Sequence, residues 1–270
     1  MIISSFKNTF FINFYSSIKD YSLKSIKDKI DKEYKKYKVD GIILLDYINI
    51  YNLINKNLYI KAGYDLYNID LTKAEVSGNG LACLAKFINY NLKFYKNFYK
   101  IEFNFYNISF NKQFLLEYKD NSYFVGFDSS NFEFIENILE NSYYVNVANP
   151  HVIYLFNNFY KNIIDFSNLK SIVIFLKDFY KKVYKKLGFE SNVHLVHNKG
   201  SDFYIYSYER GVGFTKSCGS GSIATFYLLN KLNLVKNDNF ILKSLGGNIS
   251  LYKKDNFYYL ISNPRILIKK

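Results

Sequence analysis

The sequence predicts an α+β protein built from two related halves, and three observations predict it. Short alternating runs rich in tyrosine, phenylalanine and isoleucine outnumber helical stripes. Two x-G-x-G motifs, Ser77-Gly78-Asn79-Gly80 and Cys218-Gly219-Ser220-Gly221, stand 141 positions apart, and each runs into an apolar helix-like pattern. No linker, low-complexity block or proline-rich segment divides the 270 residues.

The elements follow in order. Ile18, Leu23, Ile26, Ile30 and Tyr34 approximate helical spacing, with lysine and aspartate between them. Gly41 to Ile48 is a short apolar run and predicts a strand. Ile101 to Phe110, Tyr143 to Val147, His151 to Phe156 and Asp202 to Tyr208 are aromatic-rich runs, several of them alternating, and also predict strands. Asn168 to Lys185 predicts a helix whose stripe of Leu169, Ile172, Leu176, Phe179 and Val183 faces a core. After the first motif Leu81, Leu84, Ala85 and Ile88 keep helical spacing; after the second, Ile223, Ala224, Tyr227 and Leu228 do. The halves are expected to be residues 1–120, with 260–270 returning to the first, and 121–259.

Composition narrows the function classes. The chain is 49% hydrophobic, enough for a buried core, yet no apolar run is long enough to span a membrane. Lys7, Asn8 and Asn13 interrupt the apolar patches of the first fourteen residues, which argues against a secretory signal. Two cysteines, Cys83 and Cys218, cannot make a disulfide framework, and a reducing cytoplasm fits them best. The cysteines and three histidines show no C-x-x-C or H-x-x-x-H spacing, so no metal is expected. The net charge of +13 invites a nucleic-acid reading, but the excess is lysine beside abundant asparagine and isoleucine, a coding bias more than a phosphate track. Lys181, Lys182, Lys185 and Lys186 are read as a solvated helix face.

Against that bias the scarce residues stand out. Glycines gather at Gly78 and Gly80 and again at Gly211, Gly213, Gly219 and Gly221, with Arg210 before the second group and Cys218 inside it. Pro150 adjoins His151. Glycine turns that open helices expose unpaired N–H groups at the positive end of a helix dipole. Such an end holds a carboxylate or a phosphate, and it lowers the pKa of a cysteine placed there. Cys218 is therefore expected to ionise near neutral pH and act as a base. The G-K-[ST] ending of a P-loop is missing, and so is G-x-G-x-x-G spacing. Two such tips facing one anionic substrate would suit removal of a proton on one face and its return on the other. Arg210 offers a planar guanidinium for a carboxylate, and Glu209 beside it an acceptor for an ammonium group or simply a surface charge.

At this point the residues resemble a known family. The run from Glu209 to Gly221, ERGVGFTKSCGSG, resembles the ERGxGxTxxCGSG signature of diaminopimelate epimerases. Ala74 to Gly80 resembles that family's AExCGNG, with Ser77 in the cysteine's place. Asn149-Pro150-His151 resembles its NPH segment, Asp40-Gly41 its DGLL segment, and Asn8-Thr9-Phe10 its N-terminal GNDF. The likeness runs from about residue 8 to 225. It implies two pseudosymmetric halves, each a curved antiparallel sheet or partial barrel around a central helix. It implies inversion of an α-carbon of L,L-diaminopimelate to the meso form in lysine and cell-wall precursor synthesis, without pyridoxal phosphate or metal, in a homodimer. On that likeness Cys218 and Ser77 are the catalytic pair. Gly78, Asn79, Gly219 and Ser220 bind the reacting carboxylate. Asn8, Asn68, Asn149, Asn192, Glu209 and Arg210 grip the rest, and His151 lies nearby.

The chain departs from the family at Ser77, at Ala82 where arginine is usual, and at Ser5 and Lys7 where glycines are common. A serine hydroxyl is far less acidic than a thiol and needs activation. Three readings stay open: slow epimerisation, a changed activity (related proline racemase-like proteins include serine/cysteine pairs), or a catalytically silent amino-acid-binding protein. A basic nucleic-acid-binding protein is the alternative from another class, and the Glu209 to Gly221 signature has no place in it.

Overall fold

The computed structural model describes residues 1–18, 22–52, 57–92, 100–156 and 164–269. They fall into two compact units, Met1–Gly126 with Leu260–Lys270, and Phe127–Tyr259.

The first unit begins with a hairpin of β1 (Ile2–Ser5) and β2 (Asn8–Phe14). Helix α1 (Leu23–Glu33) then carries the chain to β3 (Gly41–Asn52), which lies parallel to β2. Strand β4 (Asn57–Asn68) returns antiparallel to β3. Helix α2 (Gly78–Leu92) leads to β5 (Lys100–Asn107), parallel to β4. Strands β6 (Lys112–Lys119) and β7 (Ser122–Asp128) continue antiparallel.

The second unit repeats this order. After the short β8 (Glu133–Glu136), β9 (Ser142–Asn146) and β10 (Pro150–Phe156) form the antiparallel pair. Helix α3 (Leu169–Leu187) connects to β11 (Asn192–Lys199), parallel to β10. Strand β12 (Asp202–Glu209) returns antiparallel, with the short β13 (Gly213–Thr215) beside it. Helix α4 (Gly219–Lys231) leads to β14 (Asn239–Ser244), parallel to β12, and β15 (Gly247–Lys254) turns back. The chain leaves this unit within β16 (Phe257–Ser262), and β17 (Arg265–Ile268) pairs with β1. The protein is thus α+β, with one order of strands and helices used twice. The parallel crossovers make the sheet of each unit mixed, where the family likeness implied a curved antiparallel sheet or partial barrel.

The helices divide by their faces. In α2 and α4 most residues are buried, because glycine, alanine and serine let strands approach from several sides. In the first unit α2 touches β1, β2, β3 and β6; in the second α4 touches β9, β10, β11 and β15. A helix met by strands from both ends of its sheet is a core element, with the sheet curled around it. Helices α1 and α3 are two-faced instead. Ile26 and Ile30 of α1 join Ile2, Phe11, Ile42 and Leu44 in one apolar cluster. The side chain of Ile18 lies outside the described residues. On α3, Ile172, Leu176, Phe179 and Val183 are buried as the stripe required, but Leu169 in the first turn is 47% exposed. Lys181, Lys182, Lys185 and Lys186 are exposed. Asn168 caps the start of α3 and Gly188, at φ 77°, ends it in the left-handed region. Among the described residues no helix is long and apolar enough to cross a membrane.

Candidate active site

Ser77 and Cys218 do the same job in their own units: each caps a central helix. The Gly80 N–H donates to Ser77 Oγ at 3.1 Å, and the Leu81 N–H donates to the Ser77 carbonyl at 2.8 Å. The Gly221 N–H donates to Cys218 Sγ at 3.4 Å, and the Ser222 N–H to the Cys218 carbonyl at 2.9 Å. Glycine stands at the third helical position in both, and the room for a side chain is tighter at Gly221 than at Gly80. A Cβ on Gly80 would stand 3.1 Å from Ser77 Cβ, and one on Gly221 would stand 2.4 Å from His194 Cε1.

In the first unit, Asn79 is buried in the opening turn of α2. Its Nδ2 donates to Asn8 Oδ1, and its Oδ1 accepts from Ser5 Oγ at 3.4 Å. Ser5 Oγ also lies 2.7 Å from Ser262 Oγ. Ser5, which stands where the family favours glycine, therefore supports the amide. Asp40 Oδ2 accepts from the Thr9 N–H, tying the Asp40-Gly41 segment to β2. Asn68 ends β4 opposite Gly41, but its Nδ2 donates to Thr72 Oγ1 at 3.0 Å and holds a local turn.

In the second unit several of the expected residues are linked in pairs, and His151 and Glu209 lie near Cys218. Asn192 Oδ1 accepts from the Arg210 N–H at 3.0 Å. Glu209 accepts from Thr215 Oγ1 and also acts on the Cys218 thiol. His151 Nε2 lies 2.9 Å from Asn149 Oδ1, and its Nδ1 lies 2.8 Å from Nε2 of His194, whose Nδ1 lies 2.9 Å from Ser207 Oγ. An amide oxygen only accepts, so a neutral His151 carries its proton on Nε2. His151 Nδ1 then accepts from the His194 Nε2–H, and His194 Nδ1 accepts from the Ser207 hydroxyl. Both rings are fully buried, and burial lowers both pKa values, to about 3 for His194.

One expectation is corrected here. The thiol of Cys218 is not made acidic by its helix end; its pKa is raised well above the ordinary value. Burial is the largest cause, followed by the charge of Glu209 and its hydrogen bond to the thiol, and these outweigh the Gly221 N–H and Ser220 hydroxyl that favour the thiolate. The resting group is a protonated thiol.

Sequence reasoning also missed His194. It belongs to no motif, and nothing in the spacing tied it to residue 151. The parallel pairing of β10 and β11 sets His151 opposite Asn192, so His194 comes two residues further on the same face. Cys83 is fully buried within α2, and burial raises its thiol too.

No protein-family model matches the chain. It is 30% identical over 230 residues to the diaminopimelate epimerase of Methanococcus aeolicus, covering 73% of each chain. It is 28% identical over 228 residues to the diaminopimelate epimerase of Methanocaldococcus jannaschii, covering 74% of each. Its fold is similar to that of a hydroxyproline epimerase from Agrobacterium vitis crystallised with trans-4-hydroxy-L-proline. That match has a TM-score of 0.67 at 9% identity and covers 98% of this chain and 89% of the other.

Proposed function

Because this chain belongs to the diaminopimelate epimerase family, and is therefore an isomerase, we propose that it inverts an α-carbon of diaminopimelate by removing and returning a proton. The observation that carries this reading is the cap of α4. There Cys218 stands where the ERGxGxTxxCGSG pattern has its cysteine, with its sulfur on the Gly221 N–H.

The chemistry follows from the groups present. Loss of the α-proton moves negative charge onto the substrate carboxylate. Helix-opening N–H groups at Gly78 and Asn79, or at Gly219 and Ser220, meet such charge with fixed dipoles that need no reorganisation. Cys218, held as a thiol, is the proton donor to the carbanion. Its thiolate is then the base for the reverse direction, beside a neutral His151–His194 pair. Ser77 takes the second cap, and its hydroxyl, or a water on it, handles the other proton slowly. Arg210 and Glu209 pair with carboxylate and ammonium ends of the substrate, and Asn8, Asn149 and Asn192 supply amide contacts. A homodimer is part of the same proposal.

The test is exchange. The folded protein, incubated with L,L-diaminopimelate in D2O, should place deuterium at an α-carbon, and Cys218→Ala should abolish this. Absence of exchange at high protein concentration, in a sample with native circular dichroism, overturns the reading. Ser77 favours one second reading, a scaffold that binds diaminopimelate without turning it over; calorimetric binding without exchange would identify it.

A further inference from the structure

We propose that His151, His194 and Cys218 form a binding site for a thiophilic divalent cation, Zn2+ above all. One ligand atom from each lies within 4.8 Å of the others, and all three residues are buried. Two imidazoles and a thiolate are a borderline-soft donor set suited to zinc.

The distances are close to a coordination shell. With Zn–N near 2.0 Å and Zn–S near 2.3 Å, tetrahedral geometry separates two nitrogens by about 3.3 Å and a nitrogen from a sulfur by about 3.5 Å. The imidazole nitrogens now stand 2.8 Å apart because they share a proton. They open by about half an ångström when a cation replaces that proton. The sulfur, within 4.8 Å of both nitrogens, has at most about an ångström to close.

The outer partners of both rings are already in place. Asn149 keeps the proton of His151 on Nε2 and so turns Nδ1 toward the cation. His194 must free its Nε2. It does so by holding its proton on Nδ1, where Ser207 Oγ, 2.9 Å away, changes from donor to acceptor. The tautomer shift releases nothing. The only proton lost is that of the Cys218 thiol. Each cation thus forms two metal–nitrogen bonds and one metal–sulfur bond and frees one H+. The charge left over is +1, which the carboxylate of Glu209 beside the thiol offsets.

The site lies wholly within the second unit, and cation binding does not depend on the epimerase reading. Where that reading holds, zinc takes the very sulfur that must exchange a proton. Inhibition reversed by a chelator then follows.

The test uses tag-free protein stripped with EDTA and titrated with Co2+, then with Zn2+. One equivalent of Co2+ should give tetrahedral visible bands and a near-ultraviolet sulfur-to-cobalt charge-transfer band, with one proton released. Zn2+ should bleach both. Cys218→Ser should lose the charge-transfer band, and His194→Gln should weaken Co2+ binding at least tenfold. X-ray absorption at the zinc edge of the unmutated protein should show one sulfur and imidazole ligands, which keeps the test open if a variant fails to fold. No saturable cobalt band, a band untouched by His194→Gln, or a zinc shell without sulfur overturns the site. Failure here leaves deuterium exchange unaffected, so the two readings stand or fall separately.

Discussion

The Nδ1 of His151 and the Nε2 of His194 lie 2.8 Å apart in a fully buried pair, anchored by Asn149 at one end and Ser207 at the other. Burial lowers the pKa of His194 to about 3; burial, then the nearby His194 and Arg210, lower that of His151. An unfolded histidine titrates near 6.5. The folded values are depressed, so the stability held in this pair is fully present above about pH 6.5 and is lost as pH falls toward the folded values, because only the unfolded chain takes up protons in between. Each ring contributes a slope approaching about 1.4 kcal/mol per pH unit. Urea unfolding in metal-free buffer between pH 6.5 and 5 should show stability falling, and His194→Gln should flatten the slope by about one histidine's share. A variant slope equal to the parent's would mean the pair is charged in the folded state.

Cys218 should behave as a reluctant thiol. Burial, then Glu209, raises its pKa. Alkylation by a small reagent, followed by peptide mass at residue 218, should therefore accelerate only on the alkaline side of an ordinary cysteine. Glu209→Gln removes the charge and shifts the pH–rate curve to lower pH. An unmoved curve would rule out coupling between the two side chains.

How much of this was legible in sequence depends on the range of the interaction. The helix tips were legible because glycine, serine and cysteine act within three residues of one another, and both caps stand where the x-G-x-G motifs put them. The amphipathic stripe of α3 was legible for the same local reason. His194 was not, since its partner lies 43 positions away across a parallel crossover that only tertiary structure creates. The Cys218 pKa was misjudged because a helix end is a local feature, whereas burial and Glu209 arrive through folding. Asn68, expected at the substrate, donates to Thr72 within a local turn.

Ser77→Cys should raise the exchange rate if the cap of α2 carries the second proton. The new sulfur replaces an oxygen that already accepts the Gly80 N–H at 3.1 Å, so the helix start is retained. A thiol is the more acidic group and, ionised, the better nucleophile. A gain of at least tenfold in deuterium incorporation is expected, about 1.4 kcal/mol of barrier. No gain, with the cap intact by circular dichroism, would remove Ser77 from the chemistry.

The hairpin between β1 and β2 carries strain that glycine would relieve. Phe6 and Lys7 sit at φ 46° and 64° in the left-handed region. That conformation costs an L-residue with a side chain about 1–2 kcal/mol. Lys7→Gly should therefore stabilise the protein by a few tenths of a kcal/mol to about 1 kcal/mol in urea unfolding, the relieved strain exceeding the cost of glycine's extra freedom in the unfolded chain. A loss of stability in the glycine variant would show that Lys7 makes contacts worth more than its backbone strain.

Gly221 and His194 should be coupled by contact. A Cβ at 221 would lie 2.4 Å from Cε1 and 2.5 Å from Nε2 of the buried ring, whereas at Gly80 the nearest atom is the Ser77 Cβ at 3.1 Å. Overpacking of a filled interior costs about 1–3 kcal/mol. Gly221→Ala should therefore destabilise more than Gly80→Ala, which needs a shift of only a few tenths of an ångström. In a His194→Ala background the severe clash is gone, leaving Cys218 Sγ at 3.1 Å as the remaining tight neighbour, and the added methyl fills part of the space the ring leaves. A double-mutant cycle by urea unfolding should then give a favourable interaction of at least about 1 kcal/mol between the two alanines. Additive losses would mean that the ring moves aside freely, and a ring so free could not hold its nitrogen beside His151.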